Sequence, residues 1–164
     1  MVTLEHYLNT SYSPGREYRD GVLVKRTGGD KAHALLQAAL GSYIGRRRKQ
    51  WNIQPYLSLR VRMREKWYPI PDVCVYSLPD FEGRYPSQPP LLWIEILSHD
   101  DRMVDVWNKA SELVALGVPY VWIVEPNTLE SELRTSSGIE LIADKTLRIP
   151  NSPIVIPLVD VMEE

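Results

Sequence analysis

The spacing of apolar positions changes several times along the chain, and each change marks an element. Residues 1–9, "MVTLEHYLN", suit a short helix capped at Thr3. "REYRDGVLVKR" reads as two strands bent around Asp20-Gly21, a dipeptide suited to a tight hairpin. "TGGD" follows as a loop, with Asp30 as N-cap of the next segment. From Lys31 to Gln50, Leu36, Leu40 and Ile44 recur at helical spacing, which predicts one amphipathic helix ending in Arg46-Arg47-Arg48-Lys49. "YLSLRVRMR", residues 56–64, alternates strictly. Leu57, Leu59, Val61 and Met63 fall on one side, and Ser58, Arg60, Arg62 and Arg64 on the other, predicting a strand with one buried and one basic face.

"PDVCVYS" and "LLWIEIL" are two more strands, separated by the Pro-rich loop "LPDFEGRYPSQPP". "DDRMVDVWNKASELVALG" is a second helix ending at Gly117, and "PYVWIVEP" is a strand apolar on both faces. "SELRTSS" and "IELIAD" form a hairpin around Gly138, and "IVIPLVDVM" is a final apolar segment. This order predicts an α/β fold: a mixed sheet flanked by helices, with N-terminal and C-terminal β-hairpins.

A chain of 164 residues suits a single domain over 1–164, burying roughly 70% of its unfolded surface. The lone Cys74 excludes an internal disulfide framework and fits a reducing cytoplasm. No apolar run approaches the ~18 residues of a membrane span, and the N-terminus lacks a signal-peptide plan. A soluble cytoplasmic protein is expected.

The net charge of -2 favours no partner, but its distribution is uneven. Nine Lys or Arg and a single acid, Glu65, lie between Lys31 and Lys66, whereas acids outnumber bases after Glu125. Such a block can be a footprint for a polyanion or an ordinary solvated surface. Arg46, Arg47, Arg48, Arg60 and Arg62 are the candidate nucleic-acid contacts. The run at 46–49 equally suits a helix C-terminus, where cations complement the dipole.

No Gly-rich phosphate loop follows a strand, so a nucleotide cofactor is not expected. One Cys and three scattered His do not make a structural zinc site, and no Ser lies in a nucleophile-elbow context. Gly41 and Gly45, four apart in a helix, read as close-packing positions, and His33 as a packing or hydrogen-bonding residue, with a site residue as the alternative.

The carboxylates are less ordinary. Glu95 interrupts the apolar run "LLWIEIL", where an unpaired charge would cost several kcal/mol. Asp72 opens the neighbouring strand, and adjacent strands can bring the two together. Carboxylates that close repel unless a proton or cation intervenes. Mg²⁺ or Mn²⁺ would relieve that repulsion and supply a reactive water. Lys109 shares a helical face with Val106, Leu113 and Leu116 and so falls within the stripe that packs on the sheet. It can pair with Asp105 one turn earlier, or reach toward Glu95 and Asp72.

"EYRDGVLV", "PIPDVCVY", "PPLLWIEILS" and "DRMVDVWNKASELVALGVPYVWIVEP", with their spacing, resemble the Uma-two family within the PD-(D/E)XK nuclease superfamily. The resemblance runs from about residue 4 to residue 160. It implies a restriction-endonuclease-like core and metal-dependent cleavage of DNA phosphodiesters. Carried over, Asp72 and Glu95 are metal-binding acids and Glu17 is a further acid of the site. Leu97 stands where related nucleases carry a strand Lys, and Lys109 from the following helix takes its place. Ser98-His99-Asp100 departs from the family's usual Ser-Pro-Ser. Cutting both strands calls for two active sites, so a homodimer acting on DNA is expected. The alternative is a non-catalytic module on the same fold, binding nucleic acid or a protein, with Glu95 and Lys109 as a buried ion pair.

Overall fold

The structure, a computed structural model, describes residues 1–26 and 29–164, so Thr27 and Gly28 of the expected "TGGD" loop lie outside the described residues. The helices are α1 (Leu4–Leu8), α2 (Lys31–Arg46), α3 (Arg48–Trp51), α4 (Met103–Ala115) and α5 (Leu158–Glu163). The strands are β1 (Arg16–Arg19), β2 (Val22–Lys25), β3 (Ile53–Leu57), β4 (Trp67–Tyr68), β5 (Val73–Ser77) and β6 (Leu92–Ile96). They continue with β7 (Tyr120–Val124), β8 (Ser131–Thr135), β9 (Gly138–Ile142), β10 (Thr146–Arg148) and β11 (Val155–Pro157).

Six strands form the main sheet in the order β3-β5-β6-β7-β8-β9. Only β6 and β7 run parallel, because α4 joins them as a crossover. Side-chain alternation then assigns each face of the sheet to one helix. Leu92, Ile94 and Ile96 pack with Leu36, Leu40 and Ile44 of α2, while Trp93 joins Val121, Ile123, Ala110 and Leu113 on the α4 side. Glu95, two residues from Trp93, therefore also faces α4. Leu40 is fully buried in the α2 layer, and Leu40→Ala should lower unfolding free energy by about 2–5 kcal/mol in a denaturant titration.

The hairpin around Asp20-Gly21 forms as expected, with positive φ at both residues. It joins β4 in a small three-stranded sheet, order β2-β1-β4. The hairpin around Gly138 closes the edge of the main sheet. Gly117, at φ +107°, terminates α4 one residue past Leu116. A Cβ on Gly41 would lie 3.1 Å from Leu57, so this glycine does admit close approach of β3 to α2.

Two expectations fail. The single helix over 31–50 is two pieces, with α2 ending at Arg46 and α3 starting at Arg48. The strand expected over 56–64 stops at Leu57, because Ser58 takes a positive φ of 51° and turns the chain out of the sheet. Beyond it, Val61 and Met63 donate to the Pro69 and Trp67 carbonyls, so alternation survives in a different pairing. The basic face is dispersed accordingly: Arg60 turns inward onto the Tyr7 and Thr10 carbonyls, and Arg62 stays in solvent. The last apolar segment splits into β11 and α5, whose Leu158 and Val161 pack on the α2 side of the core. Among the described residues no helix is long and apolar enough to cross a membrane.

Candidate active site

The pairing of β5 with β6 sets Val73 opposite Ile94, so Asp72 and Glu95 are the next residues out along the same ladder. Asp72 sits where Pro71 leads the chain into the sheet, and it is 3% exposed. Its Oδ2 accepts the Ile96 amide at 2.7 Å, while Oδ1 accepts Arg26 at 2.8 Å and faces His33 Nε2 at 3.2 Å. Burial opposes ionisation of Asp72, but His33 and Arg26 outweigh it and hold the carboxyl below its ordinary value. The same contact with Asp72 raises His33 against the effect of its own burial.

Glu95 and Glu17 meet on the other side of this corner. Glu17 projects from β1 while its neighbour Tyr18 packs among the N-terminal tyrosines. Its Oε2 accepts the Ile70 amide at 2.8 Å and Lys109 Nζ at 2.9 Å. Lys109 Nζ also lies 2.9 Å from Glu95 Oε1, which accepts the Trp93 indole N–H at 2.8 Å. Burial disfavours the Lys109 charge, yet Glu17 and Glu95 more than offset this and raise its pKa. Glu95 is raised as well, by burial first and by repulsion from Asp72 and Glu17, with Lys109 opposing. The expected alternative of a Lys109–Asp105 pair is not what forms, since Asp105 faces Arg102 at 4.0 Å.

Glu17, Asp72, Glu95 and Lys109 thus line one cavity of about 310 Å³, together with Arg26, His33 and Leu97. Three carboxylates face Lys109, Arg26 and, when protonated, His33. At the mouth, Ser98 and Asp101 close a turn, the Ser98 amide donating to Asp101 Oδ2 at 2.7 Å. This loop contains the Ser98-His99-Asp100 stretch.

A metal can be weighed against these donors. A carboxylate offers about four lone pairs. Asp72 uses three, and Glu95 Oε2 receives no hydrogen bond among the described residues. No group of three His, Cys, Asp or Glu among the described residues is placed to hold an ion. That donor set fits a hard cation taking one or two carboxylates, with water and substrate oxygen completing its shell. It does not fit an all-protein cage.

Residues 5–154 match the model of the Uma2 family, described as "Putative restriction endonuclease". The chain belongs to the Uma2 family. Among solved structures, the fold is similar to a crystal structure of "a putative nuclease belonging to DUF820" from Anabaena variabilis, with a TM-score of 0.82. That likeness has 21% identity and covers 99% of this chain and 98% of the other, and it shows that the two share a fold. No match was found among curated proteins.

This Uma2 chain does not bring its predicted phosphate contacts to the cavity. Arg46 and Arg47 pair with Glu164 at 2.6 and 3.2 Å, and Arg47 stacks on Tyr43. Arg48 donates to Gln54 at 2.8 Å. Arg60 lies 4.1 Å above the Tyr7 ring and carries two backbone carbonyls, so it ties α1 to the chain after β3. His33 faces Asp72 Oδ1 and lines the cavity wall.

Sequence reasoning missed two residues that hold the acids of the site, Trp93 on Glu95 and Arg26 on Asp72. Trp93 could have been found, since it lies two positions before Glu95 on the same strand face. Arg26 had no signal, because only the packing of the hairpin end over β5 brings it to Asp72.

Proposed function

We propose that this Uma2 chain is a Mg²⁺- or Mn²⁺-dependent DNA endonuclease. The observation that carries this reading is the convergence of Glu17, Asp72, Glu95 and Lys109, from four separate elements, on one open cavity. Asp72 and Glu95 would hold the cation, which when bound supplies a Lewis acid for the phosphate and an acidified water. Lys109 places its ammonium where negative charge grows on the phosphoryl oxygens during hydrolysis. Glu17 holds Lys109 together with Glu95 and keeps it protonated. The Ile96 amide fixes the Asp72 carboxylate, and the Trp93 indole fixes that of Glu95, so neither acid has to be reoriented on binding.

DNA is the proposed partner, and a homodimer would supply two sites for a double-strand cut. A cleavage assay on duplex DNA with Mn²⁺ tests the activity, and a wild type inert across metals and DNA forms would sink it. The acid limb of the Mn²⁺-binding pH profile carries a second test. Glu95 must be ionised to hold a cation, and its pKa lies above the ordinary carboxylate value. Mn²⁺ affinity should therefore fall, as pH is lowered, at a higher pH than an unperturbed Glu of ~4.3 would give.

One observation favours the non-catalytic alternative. Asp72 is already matched by Arg26, His33 and an amide, so the site's charges can balance without an ion. Calorimetric titration of Mn²⁺ into wild type and Glu95→Ala separates the two. Tighter binding by wild type supports the nuclease, and identical binding supports the module.

A further inference from the structure

The cavity does not end at Lys109. A second depression continues it, sharing Glu17, Val24, Asp105 and Lys109 in the common wall. Its far end is built from Arg19, Trp67, Asn108 and Glu112. Arg19 grips Glu112 with both terminal nitrogens, at 2.7 and 2.8 Å, and Arg64 donates to the same carboxylate. Both guanidiniums lie over the Trp67 ring, at 4.6 and 5.2 Å from its centroid. Trp67 is buried at 4% exposure, so this floor is fixed, whereas the Arg19 and Arg64 side chains are 40% and 44% exposed.

Two guanidiniums against Glu112 leave this triad one positive charge in surplus beside the far end of the depression, whose shared wall also carries Glu17 and Asp105. Arg64 spends only Nη2 on Glu112, leaving Nε and Nη1 to donate elsewhere among the described residues. We propose that Arg64 and Arg19, held by Glu112 and Trp67, bind a backbone phosphate of the DNA strand beside the scissile bond. The strand then runs from the Asp72 corner past Lys109 and along the second depression. This rests on the nuclease reading and assigns its substrate path to residues other than the five predicted contacts. A planar guanidinium suits phosphate, and one already held in place loses less freedom on binding. Contact with the backbone carries no base preference, so the subsite contributes affinity and register, not sequence choice.

The test measures anisotropy of a labelled mixed-sequence duplex across a salt series without added metal, with Mn²⁺ cleavage kinetics in parallel. Arg64→Ala should weaken binding about fivefold and lower the slope of log K against log salt by about one. The kinetic loss should fall on KM, and Arg64→Lys should restore most of the salt slope. Arg148→Ala removes a comparably exposed Arg paired with Asp144 and should change neither measurement. A wild type that binds and cleaves while Arg64→Ala keeps its affinity and slope overturns the phosphate site alone. Equal losses in Arg64→Ala and Arg148→Ala overturn it too, by reducing the effect to net charge. A wild type that neither binds nor cleaves removes the nuclease reading and this path with it.

Discussion

Asp72→Asn is expected to lower Mn²⁺-dependent cleavage of duplex DNA at least ~10³-fold, equivalent to about 4 kcal/mol of transition-state stabilisation. The substitution removes a charge and keeps the shape. An Asn oxygen can still accept the Ile96 amide that Asp72 Oδ2 accepts at 2.7 Å, so the β5–β6 corner keeps its geometry. What disappears is the anion between Arg26, His33 and the proposed cation. Folding should respond in a defined direction. Asp72 has a depressed pKa in the folded protein, so its stabilisation is present above the ordinary Asp value and lost as pH falls through the depressed one. Asp72→Asn should consequently be less stable than wild type at neutral pH and approach it in acid. Circular dichroism melts across pH read this separately from activity, and undiminished cleavage by Asp72→Asn would remove Asp72 from the site.

Lys109→Met should show the largest loss of stability, about 3–5 kcal/mol at neutral pH by denaturant titration. The apolar stem is retained, but Glu17 and Glu95 are left facing each other with no cation between them. The pKa of Lys109 is raised, so its stabilisation is fully present below the ordinary Lys value of ~10.4 and lost only above it. Measurements at neutral pH therefore capture the whole effect. The deficit should narrow in acid, as Glu95 takes up the proton that its burial already favours. Any cleavage retained by the folded variant should be ~10²- to 10³-fold slower, the typical loss when a donor to a developing oxyanion is removed. A stable Lys109→Met with normal activity would mean that Lys109 neither holds the corner nor serves the phosphate.

The energetic logic of the corner explains why no single residue of it is ordinary. Three acids gathered there repel one another, and only the cations brought by α4, α2 and the hairpin end make their ionised forms tenable. Each acid is also tied to a rigid donor. The amides of Ile70 and Ile96 and the Trp93 indole all come from the scaffold itself. The preorganisation proposed for catalysis thus uses the same contacts that stabilise the fold.

Much of this was legible along the chain. Period-two alternation and the turn signals at Asp20-Gly21 and Gly138 gave the sheet-and-hairpin plan, because side-chain direction in a strand follows directly from position. The anomaly of a carboxylate in "LLWIEIL" and a lysine in an apolar helical stripe was visible for the same reason: burial makes an unpaired charge costly. Lys109 and Glu95 do meet, at 2.9 Å.

Other features were decided only in three dimensions. Alternation over 56–64 was real, but one positive φ at Ser58 moved its second half out of the main sheet and scattered the arginines. Charge counts likewise pointed to Arg46, Arg47 and Arg48, which the fold places against Glu164 and Gln54. Local sequence determines which way each side chain points from its own backbone. Which partner waits there depends on how distant segments pack, and that is why Arg26, Arg19 and Arg64 acquired their places only when the hairpin, α4 and the chain after β3 came together.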